Sequence, residues 1–292
     1  MSRSCVPIIL SVLLVACGPG ELEPDAAFEC SNCERWNTPQ EPFRILGNTW
    51  FVGTAGLTAL LIETDEGLIL VDGALPQSSP LIEANIHKLG FDPLNIKAIL
   101  VSHAHFDHAG GINALQRLSG AVVYTSPAGE KVLQSGLLQE DDPQFLYGPE
   151  NTRFPASKKV MGISDGERVT VGDVVVEAIH TPGHTPGGVS WTWESCALGV
   201  CYDIVYADSL TAVSAEGFRF SDGLAANQLV ESAGAISELD CDILLSPHPF
   251  FFGMKDKLEK RDEGNPFINN VACMIYEETA LDWLEQRLDS ER

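Results

Sequence analysis

The chain has 292 residues, of which 45% are hydrophobic, enough to bury one large core or two modest ones. Its 41 acidic residues outnumber its 18 lysines and arginines, so the formal net charge is −23. Because phosphate binding needs a basic face, this balance excludes nucleic acid as an expected partner.

The N-terminus has the pattern of a targeting segment. A positive charge precedes the apolar run Val6–Ala16, which is too short to span a membrane, so we predict a signal peptide over residues 1–16. The run Leu14-Val15-Ala16-Cys17 resembles the cleavage box of bacterial lipoproteins. This resemblance implies export to the periplasm and a lipid on Cys17, and Gly18 after it favours the outer membrane. An ordinary secretory signal, in which Cys17 has no role, is the alternative.

Export makes disulfides an expected feature of the mature chain. Cys196 and Cys201 flank a short turn between two strand-like runs, so we predict that they clasp a hairpin. Cys30 and Cys33 either close a small loop or form half of a zinc knuckle. A single C-x-x-C does not decide between these two uses.

The segment 17–42 is rich in Pro, Glu and Asp, which predicts a lipid-anchored, flexible tether with little structure. A folded domain is then expected over residues 43–292. Its first elements are three antiparallel strands and an amphipathic helix, predicted at Arg44–Val52, Leu57–Glu63, Gly67–Val71 and Ser79–Leu89.

Three of the seven histidines fall within six residues, directly after the buried strand predicted at Ile96–Val101. His103 and His105 are two apart, so they point to one side of an extended backbone. Asp107 and His108 follow after the chain has begun to turn. Neutral imidazole and carboxylate suit zinc, and this spacing lets one segment serve two metal ions. A chance patch on a solvated loop would not concentrate so many ligands.

Three more histidines follow predicted strands. Val174–Ile179 leads to His180 and His184, and Asp242–Ser246 leads to His248. Side chains that follow the ends of several strands can converge at one edge of a sheet. His180 is interpreted as structural.

The polar segment Glu140–Ser157 is long for a connection, which is typical of functional loops. Its Phe145 and Tyr147 either wall a substrate cleft or anchor the loop. The chain closes with a helix predicted at Val271–Leu288.

The H-x-H-x-D-H motif, with the G-H-T and S-P-H-P segments around His184 and His248, resembles the metallo-β-lactamase superfamily. The resemblance implies an α/β fold, an αββα sandwich of two mixed β-sheets with helices on the outer faces. It implies two zinc ions, the first held by His103, His105 and His184, the second by Asp107, His108 and His248.

Six ligands without a cysteine are the pattern of subclass B3, because subclass B1 would place Cys at Ser209. The B3 pattern also implies a disulfide between Cys241 and Cys273. Asp72 matches an acidic residue that supports the site in the superfamily without binding metal.

The implied reaction is hydrolysis of the β-lactam amide of penicillins, cephalosporins and carbapenems by a zinc-bound hydroxide, which confers antibiotic resistance. Asp107 would orient the nucleophile. Ser209 and Thr211 are candidates for holding the substrate carboxylate, and the alternative is that both are ordinary strand-end hydroxyls.

Two other functions compete with this one. A glyoxalase II-like thioesterase or a lactonase of the same fold would use a metal-bridging aspartate near this point, and Asp208 stands beside Ser209. Export favours the lactamase, since β-lactams are met in the periplasm. A zinc-binding or storage lipoprotein is the alternative of another class, although such proteins use flexible His-rich tracts rather than ligands dispersed over strand ends.

Overall fold

Two β-sheets form the centre of the protein in a computed structural model that describes residues 20–292. The signal peptide expected over residues 1–16 and the lipidation candidate Cys17 therefore lie outside the described residues. Within residues 20–292, no helix is both long and apolar enough to cross a membrane.

The first sheet has seven strands in chain order, antiparallel from β1 to β4 and parallel from β4 to β7. They are β1 Phe43–Leu46, β2 Thr49–Phe51, β3 Leu60–Thr64, β4 Gly67–Val71, β5 Ile96–Leu100, β6 Val122–Thr125 and β7 Val160–Gly162. The second sheet is ordered β12-β11-β10-β9-β8, with only β11 and β12 parallel. Its strands are β8 Arg168–Val171, β9 Val174–His180, β10 Val189–Ala197, β11 Val200–Tyr206 and β12 Ile243–Leu245.

Nine α-helices are formed by the described residues, several of them a single turn. They are α1 Cys33–Trp36, α2 Ser79–Lys88, α3 Phe106–Ala109, α4 Ile112–Ser119, α5 Pro127–Ser135, α6 Pro149–Thr152, α7 Ala225–Ser237, α8 Met254–Glu259 and α9 Ala272–Ser290. The two longest, α7 and α9, pack against each other on the outer face of the second sheet.

Alternate residues of the central strands face two different cores. In β3, Leu60 and Ile62 face the second sheet, whereas Leu61 packs under α2 and α4. In β11, Tyr206 lies between the sheets and Val205 lies under α7 and α9. Because both faces are buried at residues 60–62 of β3 and 204–206 of β11, these stretches are continuous apolar runs rather than alternating ones. The layers are therefore helix, sheet, sheet and helix, and the predicted αββα sandwich is confirmed.

The strand predicted at Arg44–Val52 is in fact the hairpin of β1 and β2. Gly47 makes the turn with a φ of +51°, a backbone conformation that favours glycine. A Cβ on Gly47 would lie 2.5 Å from the carbonyl oxygen of Cys196, so the turn also lets the second sheet approach closely.

The expectation of a flexible tether does not hold for the part of it that the structure describes. We call residues 20–42 the N-terminal strap, because they run along the domain. The Phe28 ring lies 4.2 Å from that of Phe106, and Asp25 forms an ion pair with Arg117 at 2.9 Å. Composition averaged over the strap conceals its few apolar residues, Phe28 among them, and burial of these offsets the entropy lost on ordering.

Three disulfides are formed within residues 20–292. Cys196–Cys201 joins β10 to β11 at their shared turn, and Cys241–Cys273 joins the start of β12 to α9. These are the pairings that spacing and the B3 resemblance favour. Cys30–Cys33 closes a small loop in the strap, which is one of the two uses left open for this pair.

We expect the disulfide between Cys241 and Cys273 to stabilise the domain more than the one between Cys196 and Cys201. The two close loops of 32 and 5 residues, and the chain-entropy relation gives about 4 and about 2 kcal/mol respectively. Thermal unfolding of the Cys241→Ser/Cys273→Ser and Cys196→Ser/Cys201→Ser double variants measures the difference. A larger fall in Tm for the second double variant would contradict this expectation.

Candidate metal centre

The predicted ligands come together where three strands end at the same edge of the sandwich. His103 and His105 follow β5, His184 follows β9, and His248 follows β12. The imidazole centroids of His103, His105 and His184 are 4.8 to 5.0 Å apart. One ligand atom from each of these three lies within 4.8 Å of the others, which is a spacing that can hold a metal ion.

A second group adjoins the first. The Asp107 Oδ2 atom lies 3.4 Å from His108 Nε2 and 3.6 Å from His248 Nε2. The rings of His108 and His248 are 4.8 Å apart, and His108 lies 4.4 Å from the ring of His103. All six predicted ligands are thus brought together, and neither His184 nor His248 is separated from the other four.

Hydrogen bonds behind the histidines fix which ring nitrogen faces the cluster. In four of the rings, one nitrogen lies within hydrogen-bond distance of an acceptor on the side away from the cluster. Two of these acceptors are carboxylates: Asp208 Oδ1, 2.6 Å from His103 Nδ1, and the Asp142 carboxylate, 3.2 Å from His105 Nε2. The other two are backbone carbonyls: that of Thr211, 2.9 Å from His184 Nδ1, and that of Gly56, 3.3 Å from His248 Nδ1. An N–H that donates outward leaves the other nitrogen as a lone-pair donor facing inward, which is how proteins orient histidine ligands.

The inward nitrogens fit a metal ion. His103 Nε2 is buried and has no hydrogen-bond partner among the described residues. An unsatisfied buried nitrogen costs about 1–3 kcal/mol, and coordination of a cation removes that cost. With imidazole and carboxylate as donors, zinc is the typical ion for such a site.

Burial and mutual contact set the charge states of the ligands. Burial lowers the pKa of His103 well below its usual value, that of His184 to about 3 and that of His248 to about 4. Burial would raise the pKa of Asp107, but His108 and the other imidazoles outweigh it and lower that pKa. Burial likewise disfavours charge on His108, but Asp107 raises the pKa of His108. Most ligands are therefore in the deprotonated form that metals require.

Asp72 supports the site from beneath, in the role that the resemblance implies. Its carboxylate accepts hydrogen bonds from the Ser102 amide and hydroxyl, at 2.8 and 2.7 Å, and from the Tyr206 hydroxyl at 2.7 Å. Ser102 follows β5 of the first sheet and directly precedes His103, and Tyr206 ends β11 of the second sheet. The buried carboxylate of Asp72 therefore links the two sheets next to His103.

Asp208 and Ser209 lie on different sides of His103. Asp208 is fully buried, and its Oδ1 binds the Nδ1 atom on the outward side of the His103 ring. Ser209 lines the cavity beside the ligands, and its buried hydroxyl has no partner among the described residues. Asp208 therefore orients a ligand, whereas a bridging aspartate would have to lie on the opposite side of the ring.

A cavity of about 560 Å³ opens onto the ligand cluster. Gln144 of the long loop and the hydroxyl residues Ser209 and Thr211 line it, and Trp36, Phe250, Phe251 and Trp283 form an aromatic wall. The rings of Trp36 and Phe250 lie 5.4 and 5.5 Å from that of His248, so the wall lies beside this member of the second group of ligands.

The loop residues Phe145 and Tyr147 do not line this cavity. Tyr147 instead anchors the loop, because its hydroxyl donates to the Ser214 carbonyl at 2.8 Å. His180 is also outside the cluster and its Nε2 lies 3.0 Å from the Ile163 carbonyl, which agrees with a structural role.

Sequence reasoning missed Asp142, Gly56 and the aromatic wall. Asp142 lies 37 residues from His105, and Gly56 lies 192 residues from His248, so no local spacing could connect them. The unusual length of the Glu140–Ser157 segment was the signal that could have drawn attention to Asp142.

Residues 53–248 match the Metallo-beta-lactamase superfamily, and this match covers more than half of the chain. The protein therefore belongs to the metallo-β-lactamase superfamily. Within it, the chain is similar to MEM-A1, a subclass B3 metallo-beta-lactamase isolated from a soil metagenome library, with 44% identity and a TM-score of 0.85 over 88% of this chain and 98% of that chain. It is also similar to the metallo-beta-lactamase SMB-1, with 43% identity and a TM-score of 0.85 over 88% and 99% of the two chains.

Curated relatives are matched over shorter segments. The chain is 34% identical to the uncharacterized protein YobT of Bacillus subtilis over 145 residues, which are 49% of this chain and 59% of that protein. It is 38% identical to a hydroxyacylglutathione hydrolase of Pseudomonas paraeruginosa over 110 residues, 37% of this chain and 33% of that protein.

We expect replacement of Asp208 to weaken metal binding by about 10- to 100-fold, because His103 loses the acceptor that orients it. Zinc affinity of Asp208→Ala, measured by chelator competition, tests this. Asp208→Asn retains an amide oxygen that can accept from Nδ1, so it should bind zinc more tightly than Asp208→Ala. Equal losses in the two variants would instead indicate a direct carboxylate ligand.

Proposed function

We propose that the protein is a zinc-dependent β-lactamase of the subclass B3 type, which binds two zinc ions and hydrolyses the amide bond of penicillins, cephalosporins and carbapenems. The observation that carries the proposal is the convergence of six predicted ligands at one sheet edge, without a cysteine among them. The similarity to subclass B3 structures over most of the chain supports it. The proposed ligands are His103, His105 and His184 for one zinc, and Asp107, His108 and His248 for the other.

Zinc, when bound, lowers the pKa of water to near 7 and polarises a carbonyl oxygen. The chain's own residues hold and orient the reactants. Asp107 lies between His108 and His248, and its lowered pKa keeps it ionised. A carboxylate that resists protonation does not readily accept and keep a proton. The role of Asp107 is therefore to bind zinc and to orient the nucleophile.

The hydroxyls of Ser209 and Thr211, the two candidates for substrate contact, differ in whether they already have a hydrogen-bond partner. The Thr211 hydroxyl lies 3.1 Å from His184 Nδ1, and the Thr211 carbonyl lies near the same nitrogen, so this residue orients a ligand. The buried Ser209 hydroxyl has no such engagement among the described residues, and Ser209 lines the cavity. Ser209 is therefore the better candidate for contact with substrate.

The alternative hydrolases have weaker support. The similarity to hydroxyacylglutathione hydrolase covers a third of that enzyme. The aspartate that would have to bridge the metals, Asp208, is engaged behind His103. A storage protein would need no cavity, and here a cavity of about 560 Å³ adjoins the ligands.

Hydrolysis of benzylpenicillin and meropenem by the zinc-loaded protein tests the proposal. We expect turnover that a chelator abolishes and zinc restores. His105→Ala should lower both kcat/KM, by at least about 10²-fold, and bound zinc, because a ligand matters at least as much as its supporting groups.

A thioester, S-lactoylglutathione, and an acyl-homoserine lactone serve as competing substrates in the same assay. His180→Ala is the matched control, since this histidine is outside the cluster and its loss should leave bound zinc unchanged. A protein that opens neither β-lactam but cleaves the thioester or the lactone is a different hydrolase. One that binds zinc and turns over none of them is a storage protein.

We further propose that the protein acts in the periplasm, anchored to the outer membrane through a lipid on Cys17. The cleavage-box resemblance supports this location. The three disulfides among the described residues support it as well, because such bonds persist in oxidising compartments.

Cys17→Ser is expected to abolish lipid attachment. Labelling with radioactive palmitate and fractionation of a Gram-negative host measure it, with the wild type labelled and in the outer membrane. A wild-type protein that is processed and soluble in the periplasm without label would instead indicate an ordinary secretory signal.

A further inference from the structure

The N-terminal strap completes the wall of the cavity over the ligands. Asn32, Arg35 and Trp36 all line the cavity from the strap. Arg35 is the one lysine or arginine among the described lining residues, and Asp107 is the one carboxylate. A single cationic side chain therefore stands at the rim of the cavity in a chain whose formal net charge is −23.

Arg35 forms no ion pair with any other residue that the structure describes. Its guanidinium donates to the amide oxygen of Asn32 at 3.1 Å, which leaves the charge unneutralised. Five other described arginines have carboxylate partners: Arg117, Arg168, Arg219, Arg287 and Arg292. Arg153 has no such partner among the described residues, but it lies outside the cavity. Arg44 and Arg261 stack on aromatic rings. Arg35 is thus available for an external anion.

The strap is fixed to the loop that orients His248. The Trp36 carbonyl accepts from the Thr54 hydroxyl at 2.6 Å and from the Gly56 amide at 3.3 Å. The Gly56 carbonyl in turn faces His248 Nδ1. A Cβ on Gly56 would lie 2.6 Å from the Trp36 Cα, so the close seating of the strap requires glycine there. The backbone that carries Arg35 is therefore held in a defined position relative to the second group of ligands.

We infer that Arg35 binds the carboxylate of the substrate and determines the preference of the site for anionic substrates. This inference deepens the proposed function, because penicillins, cephalosporins and carbapenems carry a carboxylate beside the lactam nitrogen. Arginine suits the role, since its planar fork matches carboxylate geometry and stays charged at all working pH values. Ser209 then contributes a neutral hydrogen bond to the substrate rather than its charge recognition.

A matched pair of metal-binding ligands tests the inference without turnover. Captopril and its methyl ester both present a thiol to zinc, but only captopril carries a carboxylate. Calorimetric Kd values are measured on the zinc-loaded wild type and on Arg35→Ala, Arg35→Lys and Arg153→Ala. Arg153→Ala is the control, because it removes the same charge from an exposed residue outside the cavity.

We expect the wild type to bind captopril about tenfold more tightly than the ester, a difference of about 1.4 kcal/mol. The preference should disappear in Arg35→Ala, persist in Arg153→Ala and be intermediate in Arg35→Lys. An equal preference in the wild type and Arg35→Ala, or none in the wild type, overturns the inference.

Benzylpenicillin kinetics on the same proteins separate the two proposals. Arg35→Ala should raise KM about tenfold with little change in kcat, and it should weaken the dependence of kcat/KM on ionic strength. If no variant hydrolyses a β-lactam while the captopril preference still depends on Arg35, the anion site stands and the proposed function fails.

Discussion

The site depends on hydrogen bonds that lie behind the ligands rather than among them. A neutral imidazole can present either nitrogen, so five histidines without outside partners would interconvert among many arrangements, few of which suit a metal. The carboxylate of Asp208, at 2.6 Å from His103 Nδ1, removes this freedom for one of the two most buried rings. Asp142 and the carbonyls of Thr211 and Gly56 act in the same way on three others. The order of the cluster is thus set before any ion binds.

These partners are available because of how the two sheets pack. Asp208 follows β11 in the second sheet, whereas His103 follows β5 in the first, so their contact exists only when the sheets are face to face. Asp72 reinforces the same junction by accepting hydrogen bonds from Ser102 and Tyr206. Its φ of +58° places it in a conformation that is costly for most residues and tolerated by aspartate. The core between the sheets and the metal site therefore form one cooperative structure. A substitution that destabilises the packing of the sheets should also disorder the ligands.

The ligands were predictable because they follow strands whose apolar runs are visible in the sequence, as His103 follows Ile96–Leu100. The fold was predictable for the same reason, with small errors such as the missed turn at Gly47. The orienting acceptors were not predictable from spacing, because Asp142 and Gly56 meet their histidines only through tertiary packing. The strap was misjudged because composition averages over a segment, whereas Phe28 and Trp36 act through individual contacts.

The acidic surface of the protein is compatible with the inferred preference of the cavity for an anionic substrate. The reason is that distant charges are screened by salt, whereas charges near the cavity are not. At physiological ionic strength the Debye length is about 8 Å, so acidic residues far from the cavity contribute little to the potential at its mouth. A long polyanion would contact the whole surface and feel the net charge of −23. A small carboxylate interacts mainly with the groups within a few ångströms of its path. The residues described along the cavity include one arginine, Arg35, and one carboxylate, Asp107. The same composition therefore disfavours a nucleic-acid partner and still leaves the site open to a small anionic substrate.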